Sequence, residues 1–140
     1  MNVRPYCHEF LRRMSKVFEL AIFTASTKPY CDPIVNRLDH EGLIAHRLYR
    51  CHCTPVGTKL VKDLATLKNR RKEDIIIIDN LVNSFSNDLE NGIPILPYYK
   101  GDEDYELKYL ADVLERVGKT TNCMEFIQEN FQLHHLYNRY

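Results

Sequence analysis

Apolar positions along the chain fall into stretches of different period. Phe10, Leu11, Met14, Val17 and Phe18 recur at helical spacing, which predicts an amphipathic helix with one face on a core. Pro5 precedes them and suits the first turn of that helix, where its missing N–H is not needed. Leu20-Ala21-Ile22-Phe23 reads as a short buried strand that ends in Thr24-Ala25-Ser26-Thr27. Pro29 and a second helical pattern follow, with Tyr30, Ile34, Val35 and Leu38 apolar and Gly42 near its end. Arg47-Leu48-Tyr49-Arg50 is a further strand candidate, and Pro55-Val56-Gly57 a turn between short extended pieces. Val61-Lys62-Asp63-Leu64 is expected to open a short helix through Leu67.

The next segment has no period at all. Ile75-Ile76-Ile77-Ile78 is an unbroken β-branched run, which fits a strand buried on both faces in a parallel sheet covered by helices. It ends in Asp79-Asn80. In open α/β sheets chemistry sits outside the carboxyl ends of strands, so these two residues either belong to a site or form an Asx turn that caps the strand. Ile93-Pro94-Ile95-Leu96 is a short strand that Pro94 confines to an edge. Acids at 102–104 lead a helix carrying Leu107, Leu110, Ala111, Leu114 and Val117 on one face, with Gly118 as its end. A last helix turns Met124, Ile127 and Phe131 inward, and His134-His135-Leu136-Tyr137 reads as surface. Alternating strands and helices predict an α/β domain over residues 1–118, followed by a C-terminal helix and tail over 119–140.

Composition narrows the class. At 140 residues, 44% hydrophobic and 27% charged, the chain has the make-up of an ordinary globular domain. Its net charge is zero, which gives no support to direct nucleic-acid binding. The distribution is uneven. From His46 to Lys72 eight lysines and arginines stand against the single acid Asp63, and from Glu73 to Glu106 nine acids stand against Lys100. A basic segment feeding an acidic strand end suits an anionic substrate held beside a cation, although solvated helix faces give the same pattern. Five cysteines, scattered and odd in number, point to free thiols in an intracellular setting, nuclear or cytoplasmic. No apolar run reaches membrane-spanning length.

Two stretches invite chemistry. Hydroxyls at 24, 26 and 27 ahead of a helix could seat a phosphate at the helix N-terminus, or Ser26 or Thr27 could simply cap the helix. Cys51-His52-Cys53 is a weak zinc candidate, since adjacent strand residues face opposite ways and no second Cys/His pair follows at zinc-site spacing.

The ordered set Arg4-Pro5, Glu9-Phe10-Leu11, Phe18-Glu19, Phe23-Thr24-Ala25-Ser26, Tyr30, Asp32-Pro33, Leu48-Tyr49-Arg50, Val61-Lys62-Asp63-Leu64 and Ile77-Ile78-Asp79-Asn80 resembles one family. This is the family of phosphatases acting on the C-terminal domain of RNA polymerase II (FCP/SCP-type), with their Dullard-type and nuclear LIM interactor-interacting-factor relatives, in the haloacid dehalogenase superfamily. The resemblance implies a Rossmannoid parallel sheet with helices on both faces and a small β-insertion over Arg50–Leu60. It implies a phosphoprotein serine/threonine phosphatase that works through a phosphoryl-aspartate with Mg²⁺. Carried over residue by residue, Thr24 matches the hydroxyl that binds the transferring phosphoryl group and Lys62 the lysine that neutralises it. Asp79 and Asn80 match the acid and amide at the metal, and Tyr30 and Arg50 match residues that contact the phosphopeptide.

The family's nucleophile motif, Asp-x-Asp-x-Thr, occurs nowhere in the chain. The expectation is therefore of a domain whose first catalytic strand is missing, so that the residues present hold Mg²⁺ weakly or not at all and are inactive alone. Leu81-Val82 also stands where relatives usually have Ser-Pro, and Thr27 where they often have an apolar residue. Three readings follow: a phosphatase represented by an incomplete chain, a pseudophosphatase that binds phosphopeptides or partner proteins without turnover, and a scaffold.

Overall fold

A computed structural model of the chain describes residues 3–131. It contains two units, Met1–Cys53 with Pro97–Gly118, and Thr54–Leu96 with Lys119–Tyr140.

In the first unit, α1 (Cys7–Ser15) begins two residues after Pro5, because Tyr6 takes a left-handed conformation with φ 68 and interrupts the helix. A bulky residue there is strained. Its neighbours hold it: Arg4 Nε and Nη2 donate to the two oxygens of Asp104 at 3.0 and 2.8 Å, and the Tyr6 and Tyr105 rings meet at 5.9 Å. β1 (Leu20–Phe23) and β2 (Ile44–Leu48) pair in parallel with Phe23 opposite Leu48, joined by the crossover helix α2 (Lys28–Leu38). That strand–helix–strand unit encloses a core of Cys31, Val35 and Tyr49, with Ile22 and Ile44 against it. Asp39 ends α2 and accepts from the N–H groups of Leu43 and Ile44, both at 2.8 Å, which fixes the entry to β2.

α3 (Glu106–Val117) buries the five residues its pattern marked. It starts later than the acids at 102–104 suggested. Asp102 accepts from Tyr99 N, and Asp104 from Glu106 N, so these acids build the turn that leads into the helix.

In the second unit, β3 (Thr54–Val56) and β4 (Lys59–Val61) form a hairpin whose turn uses Gly57 at φ 62. β5 (Ile77–Asp79) and β6 (Gly92–Pro94) pair in parallel, Ile78 opposite Ile93. The isoleucine strand is shorter than its run for a visible reason. Asn91 Nδ2 donates to Lys72 O at 2.8 Å and to Ile75 O at 2.9 Å, and a turn of 3-10 helix, Lys72–Asp74, precedes the strand. Of the four isoleucines only Ile77 is fully buried, in a core with Leu64, Phe85 and Leu89. A Cβ at residue 92 would lie 2.0 Å from Phe85 Cε2, so glycine there lets β6 approach the ring. β6 starts one residue before the predicted strand, and Leu96 is exposed.

After β4 the expected helix is one turn of 3-10 helix, Leu64–Thr66, capped by Asp63 Oδ1 accepting from Ala65 N at 2.9 Å. α4 (Cys123–Phe131) buries Cys123 and Ile127 and packs on the 3-10 turns Lys72–Asp74 and Leu89–Asn91 and on β6. The Phe131 side chain and the 134–137 tail lie outside the described residues. Each strand pair is a sheet of its own: β1 and β2 are parallel across α2, β5 and β6 parallel across turns of 3-10 helix, and β3 and β4 an antiparallel hairpin, so the fold class is mixed α/β.

Candidate functional site

Two groups of the predicted residues are each held by their own unit. In the first, Thr24 N donates to Leu48 O at 2.9 Å and extends the parallel pairing one residue past β1. The Thr24 hydroxyl accepts from Ser26 N at 3.0 Å, which folds the 24–26 segment into a tight turn. Capping by Ser26 or Thr27 is not what these hydroxyls do. Thr27 is the N-cap of α2 by backbone and makes no side-chain cap bond. Its carbonyl accepts from Tyr30 N and Cys31 N instead.

Arg50 joins this turn from the other side. Its N–H donates to Ser26 O at 2.9 Å and its Nε to Ala25 O at 2.7 Å. Among the described residues the two Nη groups have no hydrogen-bond partner. Arg50, in the turn after β2, is thus tied to the loop that carries Thr24 through the backbone of residues 25–26. Tyr30, 67% exposed, stands on the first turn of the helix this loop enters.

Behind Arg50 lies a network that sequence reasoning missed. Asp32, on α2, accepts from Tyr49 OH at 2.6 Å, from Arg47 Nη1 at 3.0 Å and from Lys28 Nζ at 3.0 Å. The Tyr49 hydroxyl above all, with Lys28 and Arg47, pulls the Asp32 carboxyl down from its ordinary range to about 2. The carboxylate in turn raises the Tyr49, Lys28 and Arg47 groups. A signal was present: Lys28 and Asp32 are four apart on a helix, and Arg47 and Tyr49 are two apart at a strand end, on one face.

The Cys51-His52-Cys53 tripeptide serves the same turn. Tyr49 N donates to His52 Nδ1 at 2.9 Å, and Cys53 Sγ reaches Thr24 O at 3.7 Å. None of the five cysteines forms a disulfide, and burial pushes the Cys7, Cys31 and Cys123 thiols up.

In the second unit, Lys62 follows β4 and its ammonium pairs with Asp79 Oδ2; the two side chains are 13% and 8% exposed. Asp79 Oδ1 accepts from Leu81 N at 2.9 Å. The Asx turn is thus present, and the same carboxylate carries the ion pair with Lys62. Three bonds tie the lysine strand to the loop after β5. Lys62 N donates to Ser84 O at 2.7 Å, Leu64 N to the buried Asp88 at 3.0 Å, and Asn87 Nδ2 to Asp63 Oδ2 at 3.3 Å. Asn80 sits at the strand end with an exposed side chain. Among the described residues no three His, Cys, Asp or Glu side chains converge as a metal site.

The family model for NLI interacting factor-like phosphatases matches residues 1–124. The chain belongs to this family. It is 42% identical over 118 residues to CTD small phosphatase-like protein 3 of Caenorhabditis elegans, covering 84% of this chain and 41% of that protein. It is 37% identical over 133 residues to CTD small phosphatase-like protein 2 of Dictyostelium discoideum, covering 95% of this chain and 23% of the relative. The mouse carboxy-terminal domain RNA polymerase II polypeptide A small phosphatase 2 is 38% identical over 117 residues, 84% of this chain and 43% of its own length. The chain therefore spans less than half the length of each of these relatives.

Among solved structures, Fcp1, an essential RNA polymerase II CTD phosphatase, superposes with a TM-score of 0.77 at 18% identity, covering 91% of this chain and 54% of that one. Fission yeast Fcp1 bound to beryllium fluoride gives 0.61 at 21% identity, covering 84% of this chain and 34% of that one. The fold is that of the haloacid dehalogenase-like phosphatases. No helix among the described residues is long and apolar enough to cross a membrane.

Proposed function

We propose that residues 1–118 are the greater part of a phosphoprotein serine/threonine phosphatase domain, with 119–140 a terminal helix and tail, and that these 140 residues by themselves bind phosphopeptides without turnover. The observation that carries this reading is the Lys62–Asp79 pair: a largely buried ammonium beside a strand-end carboxylate. A scaffold gains little from such a pair, whereas phosphoryl transfer needs an oriented cation to neutralise developing charge. Thr24 and Arg50 fit a second role, since a hydroxyl and unengaged guanidinium N–H groups on two loops bonded to each other suit a phosphate. Tyr30, exposed beside that loop, offers a face to the peptide.

The residues present do not fit a complete magnesium site. Asp79 has one oxygen on Lys62 and the other on Leu81 N. Asn80 can add a single amide oxygen, while Mg²⁺ demands near-octahedral oxygen ligands. No step is assigned to the ion, and its affinity for these residues alone is expected to be weak. Nucleophilic catalysis needs an atom placed to attack phosphorus, and the 140 residues contain no Asp-x-Asp-x-Thr to supply it.

The test is a phosphatase assay with a phosphoserine peptide and a chromogenic phosphate ester in the presence of Mg²⁺. The polypeptide of residues 1–140 is expected to give no turnover above background, and to gain it when a segment bearing Asp-x-Asp-x-Thr is joined ahead of it. In that extended polypeptide Lys62→Ala should lower kcat by about 10²-fold. Turnover by the 140 residues that disappears with Asp79→Asn would make Asp79 the nucleophile and overturn this reading.

A further inference from the structure

Asp32 takes none of the roles above, yet its carboxylate accepts from three side chains, Tyr49, Arg47 and Lys28. Two of its three donors sit where the chain leaves β2: Arg47 is the strand's penultimate residue and Tyr49 the first residue past it. The next residue is Arg50. From there the chain is held on its other side by the loop after β1, through Arg50 N on Ser26 O and Arg50 Nε on Ala25 O. The Tyr49–Cys53 turn closes on itself by His52 N to Tyr49 O at 2.8 Å and Cys53 N to Arg50 O at 3.0 Å. Arg50 is exposed, and an exposed arginine is otherwise free among many rotamers.

We propose that Asp32 is the positioning residue for Arg50: by fixing Arg47 and Tyr49 against α2 it sets the exit of β2, and so presents the guanidinium as a preformed receptor for the substrate phosphate. This rests on the reading of Arg50 as a phosphopeptide-binding residue. Positioning and simple electrostatics act on phosphate binding with opposite signs. Asp32 is an anion, so its removal makes the surroundings more positive and, by charge alone, should tighten binding of a phosphate. Positioning requires that binding weaken, because a guanidinium released from its geometry must be ordered again when the ligand binds. Tyr49→Phe separates the two further, since it removes the 2.6 Å bond to Asp32 without changing charge.

The experiment titrates the 140-residue chain and its Asp32→Asn, Tyr49→Phe and Arg50→Ala variants with a short phosphoserine peptide at low salt. The arginine Nε–H resonance of Arg50 is followed by NMR in the same samples. Asp32→Asn is expected to weaken binding about tenfold and Tyr49→Phe about threefold, the scale of one lost charge-assisted bond and one weaker bond. Both should shift the Nε–H signal that reports the bond to Ala25 O. Equal or tighter binding by Asp32→Asn, or an unchanged Nε–H signal, overturns the inference. If Arg50→Ala binds like the unaltered chain, or the unaltered chain does not bind, the reading of Arg50 as substrate-binding falls. The Nε–H signal still decides whether Asp32 positions the side chain. Should Asp32→Asn fail to fold, Tyr49→Phe carries the same decision.

Discussion

The two units solve the problem of holding a charge in opposite ways. Around Asp32 the charges are shared: one carboxylate serves a buried tyrosine and an arginine and a lysine that solvent reaches, and Arg47 has a second partner in Asn36 at 2.8 Å. In the second unit Lys62 and Asp79 have, among the described residues, each other as their ionic partner and are almost closed off from water. A shared, wet network loses little when one member goes, because water and the remaining members take its place. A single dry pair loses nearly everything, because the survivor keeps its desolvation cost with no opposite charge. The difference suits the roles proposed. A surface that binds and releases peptides tolerates water, whereas a cation that must meet a transferring phosphoryl group gains from a dry, preorganised setting.

Lys62→Ala should therefore have the largest effect on stability, about 3–5 kcal/mol in chemical denaturation, because it strands the Asp79 carboxylate. The comparison sharpens with the double replacement Lys62→Met with Asp79→Leu, which should recover most of that loss. If the single and double variants are equally unstable, the packing of the stems and not the charge pair holds this region, and the contrast with Asp32 fails.

Asn91→Ala should come next, at about 2 kcal/mol or more. The side chain is fully buried and its Nδ2 donates to the carbonyls of both Lys72 and Ile75; Lys72 O keeps the N–H of Ile75, while Ile75 O loses the amide that serves it. This variant tests whether the second unit depends on single, dry bonds in general. A loss no larger than that of an exposed asparagine such as Asn69 would show that water reaches those carbonyls.

How much of this was legible in the sequence depends on the range of the interaction. β1, α2 and the buried face of α3 follow from local period and stand where the pattern placed them, whereas β2 runs Ile44–Leu48 in place of 47–50, and Pro55 and Val56 lie in β3, leaving Gly57 to make the turn. Asp79 was visible as a polar residue at the end of an apolar run. Its pairing with Lys62, seventeen residues earlier, was implied by the family resemblance and not by spacing. The start of α1 was misjudged because Pro5 is a good helix opener locally, while the ion pair of Arg4 with Asp104, a hundred residues away, supports the left-handed Tyr6 that delays it. The isoleucine strand was overlong for the same kind of reason, since nothing local says that a distant asparagine will take the carbonyl of Ile75. The Asp32 network needed two short-range signals to be read together across a strand–helix–strand unit.

The smallest effect is the one that acid should show at Asp32. Its folded carboxyl lies at about 2 against an ordinary value of 3.8, lowered first by the Tyr49 hydroxyl and then by Lys28 and Arg47. A depressed carboxylate contributes stability that is fully present above the unfolded value and is lost as pH falls through the folded one. Asp32 should thus help the fold above about pH 4 and cease to help near pH 2. Other acids titrate over the same range, so the measurement is a difference: denaturation midpoints of the unaltered chain and of Asp32→Asn, compared at steps from pH 5 downward. The gap between them should be modest, smaller than that of Lys62→Ala, and should close progressively from about pH 4. Because the charged partners Lys28 and Arg47 reach solvent, added salt should narrow the gap at neutral pH, whereas the loss caused by Lys62→Ala should resist salt. A gap for Asp32→Asn that stays constant down to pH 2 would mean that the carboxylate contributes by shape and not by charge, and the shared network would then differ from the Lys62–Asp79 pair in kind rather than in degree.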